Sequence, residues 1–195
     1  YVDNAVFVIR GPSIEQFQSR YLELAHTWGT DRSVFCLPPV PSAQVVNEAR
    51  AADMGVWTLL SNVGLNFRLA LPNKVFEYLT AGIPLLAADL PEVRKLVTFY
   101  GIGLCFDPED PRTIAGCINK MANDNAFRLR CRDNIVLALQ DLQTDREWAK
   151  FAQIYEDIGG TVRPRFLGKR LVLEMDTVPA DQDGRPRPLA TRQAV

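Results

Sequence analysis

The sequence predicts an α/β fold: a Rossmann-like parallel sheet with helices on both faces, followed by a partly disordered tail. Short, almost wholly apolar runs recur along the first half of the chain, as strands buried on both faces require. Segments of helical periodicity, with start and stop signals, separate them. Strands alternating with helices build a parallel sheet. The 195 residues are 47% hydrophobic, enough for one ordinary core.

The first buried strand is Ala5 to Ile9, turned by Arg10-Gly11-Pro12. Ser13 and Gln16 fit a capping box, which opens a helix on Ile14, Phe17, Tyr21 and Leu24 that Gly29 closes. Ser33 to Leu37 is the second buried strand, broken by Pro38-Pro39. Ser42 is placed to cap the next helix, whose small-residue face is Val45, Val46, Ala49 and Ala52. Gly55 to Leu60 is the third strand, and an irregular stretch runs from Ser61 to Leu71. A short helix follows Pro72 and stops at Gly82, and Leu85 to Ala88 is strand four. Asp89-Leu90-Pro91-Glu92 starts a helix to Val97, and Gly103 to Phe106 is strand five. The rest is helical: Asp110-Pro111 opens a stripe of Ile114, Ile118 and Met121, and a longer helix spans about Ala126 to Leu142. A second capping box, Thr144 to Glu147, opens a last helix carrying Trp148, Phe151, Tyr155 and Ile158.

From Gly159-Gly160 the composition shifts. Residues 161–195 hold seven basic side chains against four acidic ones, with four prolines. They read as a basic tail, disordered from about Pro179, with Leu171-Val172-Leu173 as a lone strand. The division expected is therefore a domain over 1–160 and a tail over 161–195.

Composition excludes several functions. A net charge of −1 gives no pull toward nucleic acid. No run approaches the roughly 20 apolar residues of a membrane span, and no signal peptide is evident. Four cysteines without C-x-x-C spacing read as reduced core thiols, which places the chain in the cytoplasm. His26 is the single histidine and has no nucleophile motif beside it, so histidine-based catalysis is not expected. The chain starts at Tyr1 and enters a strand at once, so it is read as a piece of a longer protein.

The most informative stretch is Leu71-Pro72-Asn73-Lys74-Val75-Phe76-Glu77-Tyr78-Leu79-Thr80-Ala81-Gly82-Ile83-Pro84. Pro72 suits a first helical turn and Gly82 an αL terminus. Lys74 and Glu77, three residues apart, share a face. A helix N-terminus with free N–H groups, a lysine and the Asn73 amide is an anion site. A carboxylate one turn in can take the hydroxyls of an attached sugar ring. That is the chemistry of holding a nucleotide-sugar. Ligands of parallel sheets bind at the strands' carboxyl ends, so Arg10, Pro38, Asn66 and Lys74 are expected along one rim.

Leu65-Asn66 with that stretch resembles the donor-binding, C-terminal half of GT-B retaining glycosyltransferases of the family 4 type, group 1. Val8-Ile9-Arg10-Gly11-Pro12, Leu37 to Pro41, Asp89 to Glu92, Gly103 to Pro108, and Trp148 with Tyr155 extend the resemblance over about residues 5–158. It implies a nucleotide-diphosphate sugar as donor, transfer with retention, and a glycan or lipid-linked acceptor held by a further N-terminal domain. No metal or other cofactor is implied. Lys74 is the catalytic candidate, holding the diphosphate; Glu77 would hold the ribose. Asn73, Asn66, Arg10 and Gly11 complete the donor contacts, with Pro38 and Val40 against the base. The parent enzyme would serve polysaccharide synthesis in the cytoplasm, peripheral to the inner membrane.

Two departures stand out. The first glutamate of the family's Glu-x7-Glu motif falls on Leu69, which affects the sugar contact rather than the nucleotide contact. The family's opening strand, central in the sheet and carrying an Arg and a Lys, has no counterpart between Tyr1 and Ala5. The chain alone is therefore expected to be inactive. Two alternatives remain: a binding module without turnover, or a sugar-nucleotide epimerase of similar architecture.

Overall fold

The computed structural model describes residues 2, 5–12, 14–60, 64–142, 144–158, 162–167 and 170–175. The chain divides into two compact units, residues 1–139 and 140–195.

The first unit begins with β1 (Phe7–Arg10), α1 (Ile14–Thr27) and β2 (Val34–Leu37). A 3-10 turn over Ser42–Gln44 leads into α2 (Val45–Ala49). There follow β3 (Gly55–Trp57), α3 (Leu65–Arg68), α4 (Asn73–Ala81), β4 (Leu85–Ala88), α5 (Pro91–Tyr100) and β5 (Gly103–Phe106). Helices α6 (Pro111–Asn123) and α7 (Asn125–Asp141) complete the unit, the last two residues of α7 lying past its boundary.

Five parallel strands with interleaved helices confirm the α/β class, but the sheet is divided in two. β1 pairs with β2, from Phe7 opposite Val34 to Arg10 opposite Leu37. β4 lies between β3 and β5, with Leu85 opposite both Gly55 and Gly103. Among the described residues, β1 and β3 each pair on one side alone.

This division explains an unequal core. Every residue of β4 is 0% exposed. Leu86 and Ala88 pack with Leu90, Phe106, Met121 and Cys131, and Trp57, Ile114, Ile118 and Phe127 lie against this cluster. α4, α5 and α6 cover the sheet. The expected burial of the first two strands does not hold: Phe7, Val8 and Phe35 are each about half exposed. An apolar run implies burial only when both faces and both edges are covered, and β1 has an open edge. The α1 stripe is similarly mixed, with Ile14 buried but Phe17 and Leu24 exposed. An open groove of about 310 Å³ runs beside α1, β1 and β2, lined by Phe7, Ile9, Tyr21, Leu24, Trp28 and Val34.

Local signals fare well in the better-packed half. Asp110 caps α6, its side chain accepting the Arg112 N–H at 2.9 Å, with Pro111 in the first turn. α5 runs three residues past the expected end, to Tyr100, where Gly101 takes φ +64°. Three expectations need correction. Ser42 does not cap α2; it enters a 3-10 turn after Pro41, with no side-chain cap. The stretch expected to be irregular contains α3. The third strand stops at Trp57 rather than Leu60. Ser13, the expected cap of α1, lies outside the described residues.

The second unit contains α8 (Thr144–Asp157), β6 (Val162–Leu167) and β7 (Arg170–Met175). Trp148 and Phe151 of α8 meet edge to face, ring centroids 5.7 Å apart. Leu171 to Leu173 is not a lone strand: β7 pairs antiparallel with β6, Phe166 opposite Leu171. The stretch expected to be disordered from about Pro179 lies outside the described residues.

Candidate functional site

α4 is the centre of the site, and its bounds follow from local chemistry. Pro72 sits just before the helix in extended conformation, φ −76° and ψ 147°, one residue earlier than a first-turn proline. No side chain caps this end. The Val75 N–H donates to the Pro72 carbonyl at 3.0 Å, and among the described residues the Asn73 and Lys74 N–H groups meet no such partner and face solvent or a ligand at the positive end of the helix dipole. At the other end Gly82 takes φ +74°. Its N–H donates to the Leu79 carbonyl at 2.9 Å, and the Ile83 N–H donates to the Tyr78 carbonyl at 3.1 Å. This pair of bonds is a Schellman motif, which needs a left-handed residue where Gly82 stands.

The helix is two-faced. Val75 and Leu79 are fully buried and fix its roll on the sheet. Asn73 and Lys74 are exposed at the opening turn, with Glu77 half-buried beside them. Lys74 Nζ donates to Glu77 Oε2 at 2.6 Å. A cation, a carboxylate and unbonded amides therefore share one helix end.

The other candidates are spread over the neighbouring loops. Arg10 ends β1 opposite Leu37, so Gly11 and Pro38 leave the ladder at its same end. The Arg10 guanidinium is already engaged, Nη1 lying 3.3 Å from Glu48 Oε2 on α2. α2 packs against α4, which links the surroundings of Arg10 to the helix carrying Lys74. The Gly11 carbonyl accepts the Ile14 N–H at 3.1 Å and starts α1. Pro38 is exposed and Val40 half-buried before the 3-10 turn. Asn66 lies exposed on α3, and Leu69 ends that helix half exposed. The structure thus brings Lys74 to Glu77 and Arg10 to Glu48, and shows no bond from Asn66, Pro38 or Val40 to either pair.

Two residues of this region escaped the sequence reading. Glu48 sits in no motif, and only tertiary packing brings it to Arg10. Tyr78 lies inside the quoted motif, but its partner is a backbone carbonyl: its hydroxyl donates to Val56 O at 3.3 Å.

Nearby polar groups serve structure. Arg94 grips Asp89 with two hydrogen bonds, Nε to Oδ1 and Nη2 to Oδ2, the second at 2.6 Å, which ties the end of β4 to α5. The bond and charge of Asp89 raise the Arg94 pKa further. Cys105 is pushed up to about 11, chiefly by burial and then by the Asp89 charge. His26 Nδ1 lies 3.0 Å from Asp31 on the exposed end of α1. Among the described residues, no three His, Cys, Asp or Glu side chains gather as a metal site, and no helix is long and apolar enough to cross a membrane.

Comparison with known proteins adds the family. The profile of "Glycosyl transferases group 1" matches residues 2–136. A search of curated proteins found no match. Among solved structures, the chain is similar to HepE of Anabaena in complex with UDP, at TM-score 0.62 and 16% identity over 79% of this chain and 41% of that one. WaaG, a glycosyltransferase involved in lipopolysaccharide biosynthesis, matches at TM-score 0.55 and 15% identity over 72% and 35%. Sucrose-phosphate synthase of Thermosynechococcus elongatus matches at TM-score 0.61 and 18% identity over 78% and 38%. The chain thus spans about two fifths of the length of these structures or less. At these identities the likeness is one of fold.

Proposed function

Because the chain belongs to the group 1 glycosyl transferases, we propose that it is the donor-binding, C-terminal half of a GT-B enzyme of the family 4 type. The observation that carries this reading is the Lys74–Glu77 pair at the uncapped start of α4. The donor is a nucleoside diphosphate sugar, and the binding role falls to residues 1–160. The complexes of HepE with UDP, with UDP and glucose, and with UDP-glucose make a uridine nucleotide the first candidate.

In this reading the diphosphate meets Lys74 and the N–H groups of Asn73 and Lys74. Negative charge grows on it as the glycosidic bond breaks. Fixed donors aimed at developing charge lower the barrier without reorganising. Glu77 accepts the ribose hydroxyls. Asn66, Arg10 and Gly11 line the phosphate and sugar side, with Pro38 and Val40 on the base side. None of these residues offers a nucleophilic carboxylate to the sugar, which favours retention by a front-face route. No metal is assigned a role. The acceptor, a glycan or a lipid-linked glycan, is bound by a further domain, in the cytoplasm at the inner membrane face. Synthesis of a surface polysaccharide fits the involvement of WaaG in lipopolysaccharide biosynthesis. A second reading, a module that binds donor without turnover, is favoured by Leu69 standing where the motif has a glutamate.

Calorimetric titration of the chain with UDP, GDP and ADP tests the proposal. One nucleotide is expected to bind with a single site. A folded chain that binds none of them contradicts the donor reading.

A further inference from the structure

β3 opens with Gly55, whose backbone is held against the start of β4. Its N–H donates to the Pro84 carbonyl at 2.9 Å, and it pairs with Leu85 in the ladder. A Cβ built on Gly55 would lie 2.3 Å from Tyr78 Cγ, 2.5 Å from Cδ2 and 2.6 Å from Cδ1. Near-equal distances to these three atoms put that point over the face of the ring. The Tyr78 ring therefore rests on the bare Cα of Gly55, in space that any other residue would fill. One residue on, the Val56 carbonyl accepts the Tyr78 hydroxyl at 3.3 Å. The side chain thus meets β3 twice, by its ring face and by its tip.

Tyr78 follows Glu77 directly and lies one helical turn after Lys74, so a shift of its ring carries both charges with it. Val75 and Leu79 fix the roll of α4 by apolar contact, but apolar packing is non-directional. A ring face on a glycine and a directed hydrogen bond fix height and tilt as well. Burial, then the Glu77 charge, raises the Tyr78 pKa, so the hydroxyl stays a donor across the physiological range.

We infer that Tyr78 is a positioning residue of the donor site, its ring seated on Gly55 so that α4 presents Lys74 and Glu77 at a fixed height. This rests on the donor reading above. Small displacements matter here because hydrogen bonds weaken steeply with geometry.

The test compares Gly55→Ala, Tyr78→Phe, Tyr78→Leu and the double variant Gly55→Ala/Tyr78→Leu with the parent chain. Ile135→Val, a fully buried site on α7, serves as a destabilised control. Affinity for the nucleotide that the parent binds, UDP first, is read by calorimetry at a temperature where circular dichroism shows every variant folded. Gly55→Ala is expected to weaken binding about tenfold or more, roughly 1.4 kcal/mol. Tyr78→Phe keeps the ring and should lose less. In the Tyr78→Leu background, Gly55→Ala should add little, because the ring it displaces is gone. Ile135→Val should bind as the parent does. Parent-like affinity of Gly55→Ala, an equal loss in Ile135→Val, or an equal Gly55→Ala loss in both backgrounds overturns the inference. A parent chain that binds no nucleotide defeats the donor reading itself, and the donor-site role of Tyr78 with it. The melting temperatures of the parent, Gly55→Ala, Tyr78→Leu and the double variant then still judge the seat: additive losses overturn it.

Discussion

Lys74 and Glu77 are bonded to each other, Nζ to Oε2 at 2.6 Å, across one helical step. Their side chains are 51% and 31% exposed. Water screens such a pair, so it adds only about 0.3–0.5 kcal/mol to the fold. The pairing holds the two groups together near the start of α4 and keeps the local charge balanced. On the donor reading proposed above, donor entry would exchange one partner for another: diphosphate for Lys74, ribose hydroxyls for Glu77.

Lys74→Met and Glu77→Ala should therefore separate binding from stability. Each is expected to weaken nucleotide binding by about 1–3 kcal/mol, the scale of a charge-assisted hydrogen bond, while melting shifts little. The Lys74→Met loss should shrink at high salt, because screening weakens the parent's phosphate contact. Calorimetry at two ionic strengths, beside thermal melts, checks this. Equal losses of affinity and stability would assign the pair to the fold alone.

Gly82→Ala should destabilise the chain by about 1–2 kcal/mol, the cost of placing a Cβ in the left-handed region. Among the described residues, nothing beyond the adjoining backbone lies within 4 Å of that Cβ, so the loss comes from the local backbone conformation rather than from a packing clash. Gly82→Asn, which tolerates φ > 0 better, should lose less. Urea titrations of the two variants give the comparison. A larger loss for Asn than for Ala would contradict the backbone explanation.

Leu86→Ala and Phe7→Ala should differ although both residues lie in apolar strands. Leu86 is 0% exposed and Phe7 49%. The first should cost about 2–5 kcal/mol, and the half-exposed Phe7 less than the roughly 3–5 kcal/mol of a fully buried phenylalanine. Chemical unfolding with one probe for each variant measures both. A Phe7→Ala loss equal to that of Leu86→Ala would mean that β1 is as well buried as β4.

That contrast marks how far the sequence could be read. The βα alternation, the αL stop at Gly82, the Asp110 cap and the charged start of α4 are local, and each was legible. Burial of β1 was not, because Val6 to Ile9 look as apolar as Leu85 to Ala88. The difference lies in how many neighbours a strand has, which is a property of the sheet. The β6–β7 hairpin was missed because Arg163, Pro164 and Arg165 break the apolar pattern by which strands are recognised. In the site, Lys74 and Glu77 announced themselves by helical spacing. Glu48 and Gly55 did not, because each matters only through a partner distant in sequence.

Alkaline stability should carry a signature of Cys105. Its thiol is pushed up to about 11 in the folded chain, from an ordinary value of 9.0. Above pH 9 the unfolded thiol ionises while the folded one keeps its proton. The stabilisation is thus full below pH 9, falls as pH rises, and is lost by about pH 11. Cys105→Ala should flatten that part of the pH–stability curve, since alanine has no proton to lose. Urea midpoints between pH 8 and 11 measure it. An unchanged slope in the variant would assign the alkaline loss to other groups.

The most direct measurement of the donor reading is an amide chemical-shift map of the chain titrated with UDP. The largest shifts are expected at Asn73, Lys74 and Glu77, with smaller ones at Arg10 and Gly11 where β1 ends and at Val40 after β2. A saturable response centred on the start of α4, absent with uridine alone, supports diphosphate capture by that helix end. Saturable shifts centred instead on α6 or α7, with α4 unmoved, would contradict it.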